Sequence, residues 1–460
     1  MRRSVLALAL PMILSNLTVP LVGLVDTAVL GRLPTPEPLA AAAVGAMLFS
    51  LAFWALNFLR MSTTGLVAQA YGRGELAIAA RVGSQGVALA VALALLVLVL
   101  YRPLVGLALA LISVEPEVAQ AARAYLDARV LAAPAVLVNF VLIGVLLGLQ
   151  DARSALVIMV AVNGTNIVLS PLFVLGFGWG AAGVGAASAI AEWSGLAVGL
   201  DLVRRRLRPH WHGRSILEAL RHGDALGRLL SVNADLFLRT IALLSAFALL
   251  TAVGARLGTV VVAANAVLLN LQSLLSYALD GFAHAAEALV GRALGDRNLQ
   301  GLRQVLWATA AWSLGFATVL MVVFATAGPS LLGVLTTQPE VLAVATTHLP
   351  WMIAMPWIAV WSFWLDGVFV GATQARAMRK AMLLALFGVY VPALALVVPF
   401  ANHGLWAAFT LFMVARAAAL ARYLWRPGLL APDGSPRIPT ATGDATRRGG
   451  HDSSSRKQDV

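Results

Sequence analysis

The sequence predicts an all-α polytopic membrane protein, with about twelve transmembrane helices in two duplicated six-helix bundles. Three observations carry this. Of the 460 residues, 60% are hydrophobic and 12% charged, with a mean hydropathy of +0.85, whereas a soluble domain has about 25% charged residues. The chain also matches itself when shifted by 223 positions: Gly72 falls on Gly295, Pro116-Glu117-Val118 on Pro339-Glu340-Val341, and Gly144, Gly148 and Arg153 on Gly367, Gly371 and Arg376. Finally, the apolar stretches alternate with loops whose arginines gather on one side.

The elements follow in order. Apolar segments lie near 5–31, 39–69, 83–111, 122–149, 155–176 and 181–203, and a second set near 227–253, 258–290, 303–328, 341–371, 379–400 and 404–424. Each approaches or exceeds the roughly 20 apolar residues that a spanning helix needs. The first begins after Arg2-Arg3 and runs past Leu30, longer than the 7–15 residues or so of a signal-peptide core, and is read as a retained helix. Six helices per copy is an even number, so both copies enter from one side and are related about an axis along the membrane normal.

One side receives Arg2-Arg3, Arg73, Arg81, Arg153, the cluster from Arg204 to Arg228, Arg292, Arg297, Arg303, Arg376, Arg379, Lys380, Arg422 and Arg426. The other has scattered charges such as Arg32, Glu37, Glu115, Glu117 and Arg256. The positive-inside rule then puts both termini in the cytoplasm. The expected organisation is a six-helix lobe over 1–203, a basic cytoplasmic linker over 204–226, a second lobe over 227–426 and a tail over 427–460. The tail is rich in Pro, Gly, Ser, Thr and charge, and is expected to be disordered.

The formal charge of +12 sits between apolar segments, which points to anionic lipid headgroups as its contacts and away from nucleic acid. There are no cysteines, which removes disulfide frameworks and cysteine nucleophiles. The seven histidines show no metal-ligand spacing. No Walker A sequence is present, so no ATP hydrolysis is expected of this chain and no cofactor is expected. An enzyme is not expected.

Ionisable residues inside apolar segments are functional candidates by default. Asp26 stands near the outer end of the first segment with no basic neighbour in sequence. A low-dielectric setting disfavours the charged carboxylate, so such a group is suited to loading and releasing protons. A solvated aspartate capped by Thr27 is the plainer alternative. Pro11 and Pro20 in the same helix each remove a backbone hydrogen bond and are candidate kink positions, whether moving or static. Asn163 and Asn166 in the fifth segment, followed by Ser170, either bond Asp26 across the lobe or hold helices together. Asn57, Arg60 and Met61 in the second segment, Asp280 and Glu287 in its mate, and Asp366 are candidates for a substrate cavity, with Trp54 and Phe58 as further apolar wall. Asn57 corresponds to Asp280 and Thr64 to Glu287, so the halves are chemically unequal. Arg60 and Arg239 are expected to find carboxylate partners. Asp235 and Arg239 have the i,i+4 spacing of a pair within one helix.

Leu8–Asn16 (LALPMILSN), Leu24–Ala28 (LVDTA) and Phe58–Leu66 (FLRMSTTGL) resemble the MATE (multidrug and toxic compound extrusion) transporters, and more narrowly the branch of DNA-damage-inducible protein F, DinF. Tyr277–Ala283, Leu365-Asp366-Gly367 and Asn402–Trp406 fit the same branch, and the resemblance spans about residues 5–425. It implies an inner-membrane antiporter of two six-helix lobes that exports organic compounds in exchange for H⁺ or Na⁺. By this resemblance Asp26 matches the coupling carboxylate, with Asn163, Asn166 and Ser170 around it. Family members often carry a fifth-helix Asp four residues after an Asn; here Asn166 matches the Asn but Ser170 replaces the Asp. That departure favours protons over Na⁺. A monomer acting on organic or amphipathic small molecules is the expectation, with a lipid-linked precursor flippase, or a membrane scaffold or receptor, as the alternatives.

Overall fold

The computed structural model describes residues 2–112, 115–208 and 223–424. Most of the basic linker and the whole 427–460 tail lie outside the described residues. Everything described is helix and short connections. The first half contains α1 (Arg2–Leu30), α2 (Glu37–Ala55), α3 (Phe58–Gly72), α4 (Leu76–Ile112), α5 (Pro116–Val130), α6 (Ala133–Gly148), α7 (Ala152–Pro171, continued by a wide turn to Gly176) and α8 (Gly180–Leu207). The second contains α9 (Gly223–Arg256), α10 (Thr259–Gly295), α11 (Leu299–Leu335), α12 (Pro339–Gly371), α13 (Ala375–Leu383) and α14 (Val397–Leu424). An irregular helical stretch over 384–396 joins the last two.

These elements make twelve crossings. Ten continuous helical stretches are long and apolar enough to span a bilayer, and α5 with α6 forms an eleventh, bent by 51°. The bend falls just before Pro134, whose ring cannot continue the preceding ladder. The last stretch, 375–424, is 50 residues long, about 75 Å at 1.5 Å per residue and far beyond a core of about 30 Å. It contains two crossings, because Ala401 has a left-handed φ of 47° and the 384–396 stretch packs back onto α14.

The backbone repeats with the sequence. Leu76–Ile112 and Leu299–Leu335 are the same helix 223 positions apart, as are Pro116–Gly148 and Pro339–Gly371. Left-handed residues recur at the same interval: Gly74 (φ 75°) with Arg297 (φ 53°), Gln150 (62°) with Thr373 (55°), and Gly178 (71°) with Ala401 (47°). A non-glycine residue rarely adopts this region. Three such pairs mean that the turns were duplicated along with the helices.

The lobes meet along α1, α3, α10 and α12, and the meeting obeys the repeat. A Cβ on Gly72 would collide with the Arg292 carbonyl, and one on Gly295 with the carbonyl of Gln69. Gln69 Nε2 donates to the Gly371 carbonyl (2.9 Å) and to Thr373 Oγ1 (3.2 Å). Its repeat mate Arg292 donates to Gln150, the mate of Thr373, at 2.8 Å. These contacts sit beside Arg73 and Asp296, at the end of the molecule that carries the basic loops. Deeper links are Ser62 Oγ to Asn233 Oδ1 (2.6 Å) and Asn16 Nδ2 to the Tyr277 carbonyl (3.0 Å). The basic half is therefore sealed between the lobes.

Candidate functional site

Asp26 lies ten residues beyond Asn16 on α1, about 15 Å along the helix and past the deepest of these cross-lobe bonds. It is partly exposed. Ser170 Oγ donates to Asp26 Oδ1 at 2.7 Å and lies 3.4 Å from Asn166 Oδ1, a second acceptor for the same hydroxyl. Asn166 Nδ2 in turn donates to Ser188 Oγ on α8 at 2.7 Å. One turn deeper, Asn163 Nδ2 donates to Thr18 Oγ1, whose hydroxyl donates to the Ser15 carbonyl at 2.6 Å. The four residues grouped in the sequence are thus one assembly spanning α1, α7 and α8. Asn163, Asn166 and Ser170 are 8%, 3% and 0% exposed; Asn166 reaches Asp26 through Ser170, whereas Asn163 holds α1 through Thr18. Pro11 and Pro20 lie inside α1, which is assigned as one helix through both.

Polar groups continue down the lobe. Thr165 and Ser194 hydroxyls are 3.1 Å apart. Deeper still, Asn139 Nδ2 on α6 donates to the carboxylate and to the backbone carbonyl of Glu192 on α8, both at 3.0 Å. Beside them the Arg129 guanidinium rests 4.5 Å from the centre of the Phe49 ring.

The cavity candidates fall into a second cluster at the lobe interface. Arg60 Nη1 meets Glu287 Oε2 at 3.4 Å and its Nε donates to Asn57 Oδ1 at 3.3 Å. His284 Nδ1 is 3.6 Å from the same Glu287 oxygen. Asp366 is held by both Arg239 and Arg416. Asp280 forms no hydrogen bond or ion pair among the described residues, yet lies within electrostatic reach of His284, Arg60, Arg239 and Asp366. Arg60, Met61, Glu287 and Asp366 are buried in this conformation, while Asn57 and Asp280 are partly exposed. Arg60 and Arg239 do find carboxylates, on other helices. The expected Asp235–Arg239 pair within α9 does not form: Asp235 takes Arg379 of α13 at 2.6 Å, and Arg239 takes Asp366 of α12. An i,i+4 pair contributes only about 0.2–0.5 kcal/mol. A buried charge left unpaired on a facing helix costs far more, so the interhelical pairs win.

Sequence reasoning passes over Arg129, Asn139 and Glu192. Glu192 was open to the same argument as Asp26, being an acid within an apolar segment. Its partnership with Asn139, 53 positions away, leaves no local signal.

With this geometry in hand, the comparisons with known proteins are consistent with one another. The MatE family model matches residues 11–172 and again 236–398, one match in each lobe. DNA damage-inducible protein F of Escherichia coli (strain K12) is 42% identical over 426 residues, covering 92% of each chain. A probable multidrug resistance protein NorM of Xanthomonas campestris pv. campestris is 28% identical over 404 residues, 83% of each chain. Among solved structures, a crystal structure of MATE in complex with MaD3S superposes with a TM-score of 0.81 at 20% identity, covering 92% of this chain and 95% of that one. The chain belongs to the MATE family of multi-pass membrane transporters.

Proposed function

We propose that the protein is an H⁺-coupled antiporter that exports organic compounds across the cytoplasmic membrane by alternating access. The observation that carries this is the Asp26 assembly: a partly exposed carboxylate in an apolar bundle, held by one neutral hydroxyl, with no ion pair among the described residues. Such a group changes charge by taking a proton, and no direct ion pair holds it ionised. Ionised Asp26 attracts an organic cation or a proton into the cleft; protonated Asp26 releases the cation. Rocking of the lobes then exchanges the seal of the basic half for one at the opposite end. Neutral Ser170 at the position of a second acid supports H⁺ rather than Na⁺ as the coupling ion.

In this reading the lobes are residues 1–203 and 227–426, joined by the basic 204–226 linker. Both termini face the cytoplasm, where the arginine-bearing loops meet anionic lipid headgroups, and the working unit is a monomer. The names of the relatives support a small-molecule cargo of the multidrug kind. The test is movement of ethidium, a fluorescent organic cation, in proteoliposomes of defined orientation under a pH gradient and then a Na⁺ gradient. Proton-driven movement that is lost in Asp26→Asn is the expected result. Equal movement in wild type and variant removes Asp26 from coupling, and Na⁺-driven movement alone removes the proton.

A further inference from the structure

We infer that Glu192 is a second proton-binding carboxylate of the first lobe, its protonated form held by the Asn139 amide. This rests on the proton-coupled reading above but is argued from different residues.

Three features of the geometry point there. Glu192 sits on α8 within the lobe, with its carboxylate bonded to an amide and to no cation. Of the helices packed on α8, α5 presents Arg129 and α6 presents Asn139; no other charged group among the described residues is within electrostatic reach of Glu192. Arg129 is within reach of both Asp26 and Glu192, pairs with neither, lies against the Phe49 ring and keeps a buried Nε with no hydrogen-bond partner. With no guanidinium bonded to it, an ionised Glu192 is a costly charge in a low-dielectric bundle, and a proton removes that charge.

The third feature says where that proton fits. Asn139 is 3% exposed, donates its Nδ2 to Glu192, and has a buried Oδ1 with no donor. An unfilled buried acceptor is costly. An ionised carboxylate is acceptor-only, whereas a protonated one carries an O–H. A protonated Glu192 can therefore pair with the amide in both directions, N–H to acid oxygen and acid O–H to Asn139 Oδ1. Asp26 is the opposite case, since it already accepts a hydroxyl from Ser170.

The test is infrared difference spectroscopy of the purified full-length protein in lipid, between high and low pH, without substrate. In Asp26→Asn a protonated-carboxyl band should remain that is lost in the Asp26→Asn/Glu192→Gln double variant, above the background of other carboxyls such as Asp280. Asn139→Leu keeps the acid but removes the amide, and should shift that band in frequency. Identical spectra for Asp26→Asn and the double variant would overturn the proposal. So would a band that Asn139→Leu leaves unmoved. Should the double variant not fold, Glu192→Gln against wild type gives the same comparison. The bands do not depend on transport, so a wild type that moves no ethidium sinks the antiport reading without deciding this one.

Discussion

The two lobes share one backbone plan and fill it with opposite chemistry. At matching positions, Asp26 corresponds to Leu249, Asn166 to Val389, Ser170 to Ala393 and Glu192 to Ala415. Where the first lobe carries a column of polar groups, the second packs Tyr390, Trp406, Phe409 and Phe412, each 0% exposed. Some of its polar groups are closed on one another. Asn265 and Asn402 exchange amide hydrogen bonds at 2.8 and 3.0 Å, and Trp406 donates to the same Asn265 oxygen at 2.9 Å. Of its buried acids, Asp366 is held between two arginines. Duplication thus supplies two equal frames that divergence has filled differently: the partly exposed acid without an ion pair is Asp26 beside Ser170 in the first lobe and Asp280 near His284, Arg60 and Arg239 in the second. On the proposed reading, Asp26 is the one that changes charge during transport.

That contrast can be broken most severely at Asp366. Asp366→Ala leaves Arg239 and Arg416 buried without their acid, a change that costs about 3–5 kcal/mol. A large drop in melting temperature and in membrane-inserted yield is expected, whereas Asp26→Asn should melt close to wild type. Similar melting of the two variants would contradict the division of labour.

Gly295→Val comes next, because its side chain meets the Gln69 backbone, which cannot step aside. It should pry open the seal of the basic half. The chain has no cysteine, so a single Asn16→Cys reports the change directly. Its labelling by a membrane-impermeant thiol reagent from the basic side should rise in the Gly295→Val background. Unchanged labelling would show that the seal tolerates the substitution.

Ser170→Asp sharpens the comparison. It puts a second acid beside Asp26 and should make transport respond to a Na⁺ gradient as well as to pH. Transport that stays indifferent to Na⁺ would show that Ser170 is not what selects the proton. The smallest effect on coupling is expected at Asn265→Leu, which leaves the Asn402 amide and the Trp406 N–H buried without partners, at about 1–3 kcal/mol per group. It should lower the melting temperature by a few degrees and leave the pH dependence of ethidium movement in place.

Much of this was legible in the residues. The 223-position repeat could be read because glycines at helix contacts and prolines at helix starts tolerate little substitution. Gly72 and Gly295 are still glycine because each faces the other lobe's backbone. Asp26 was legible as a candidate because a lone acid in an apolar stretch is costly to keep. The partners were not. Ser170 reaches Asp26 across 144 positions and Arg416 reaches Asp366 across 50, and only helix packing decides which polar residues face one another. The Asp235–Arg239 spacing shows the hazard of local reasoning, since a good i,i+4 match lost to partners on facing helices. The break ahead of Pro134 falls inside the 122–149 stretch, which reads in the sequence as one continuous apolar segment. Its mate helix α12 nevertheless runs unbroken through Pro350 and Pro356, so proline alone did not settle the outcome.

On this account the first lobe carries the exchangeable proton and the second does not. Proton release on adding ethidium to the purified protein in weakly buffered solution tests that division most directly. Wild type and Asn265→Leu should each release protons as the cation binds, and Asp26→Asn should release markedly fewer. Equal release from all three would place the proton outside the first lobe's site and contradict the account.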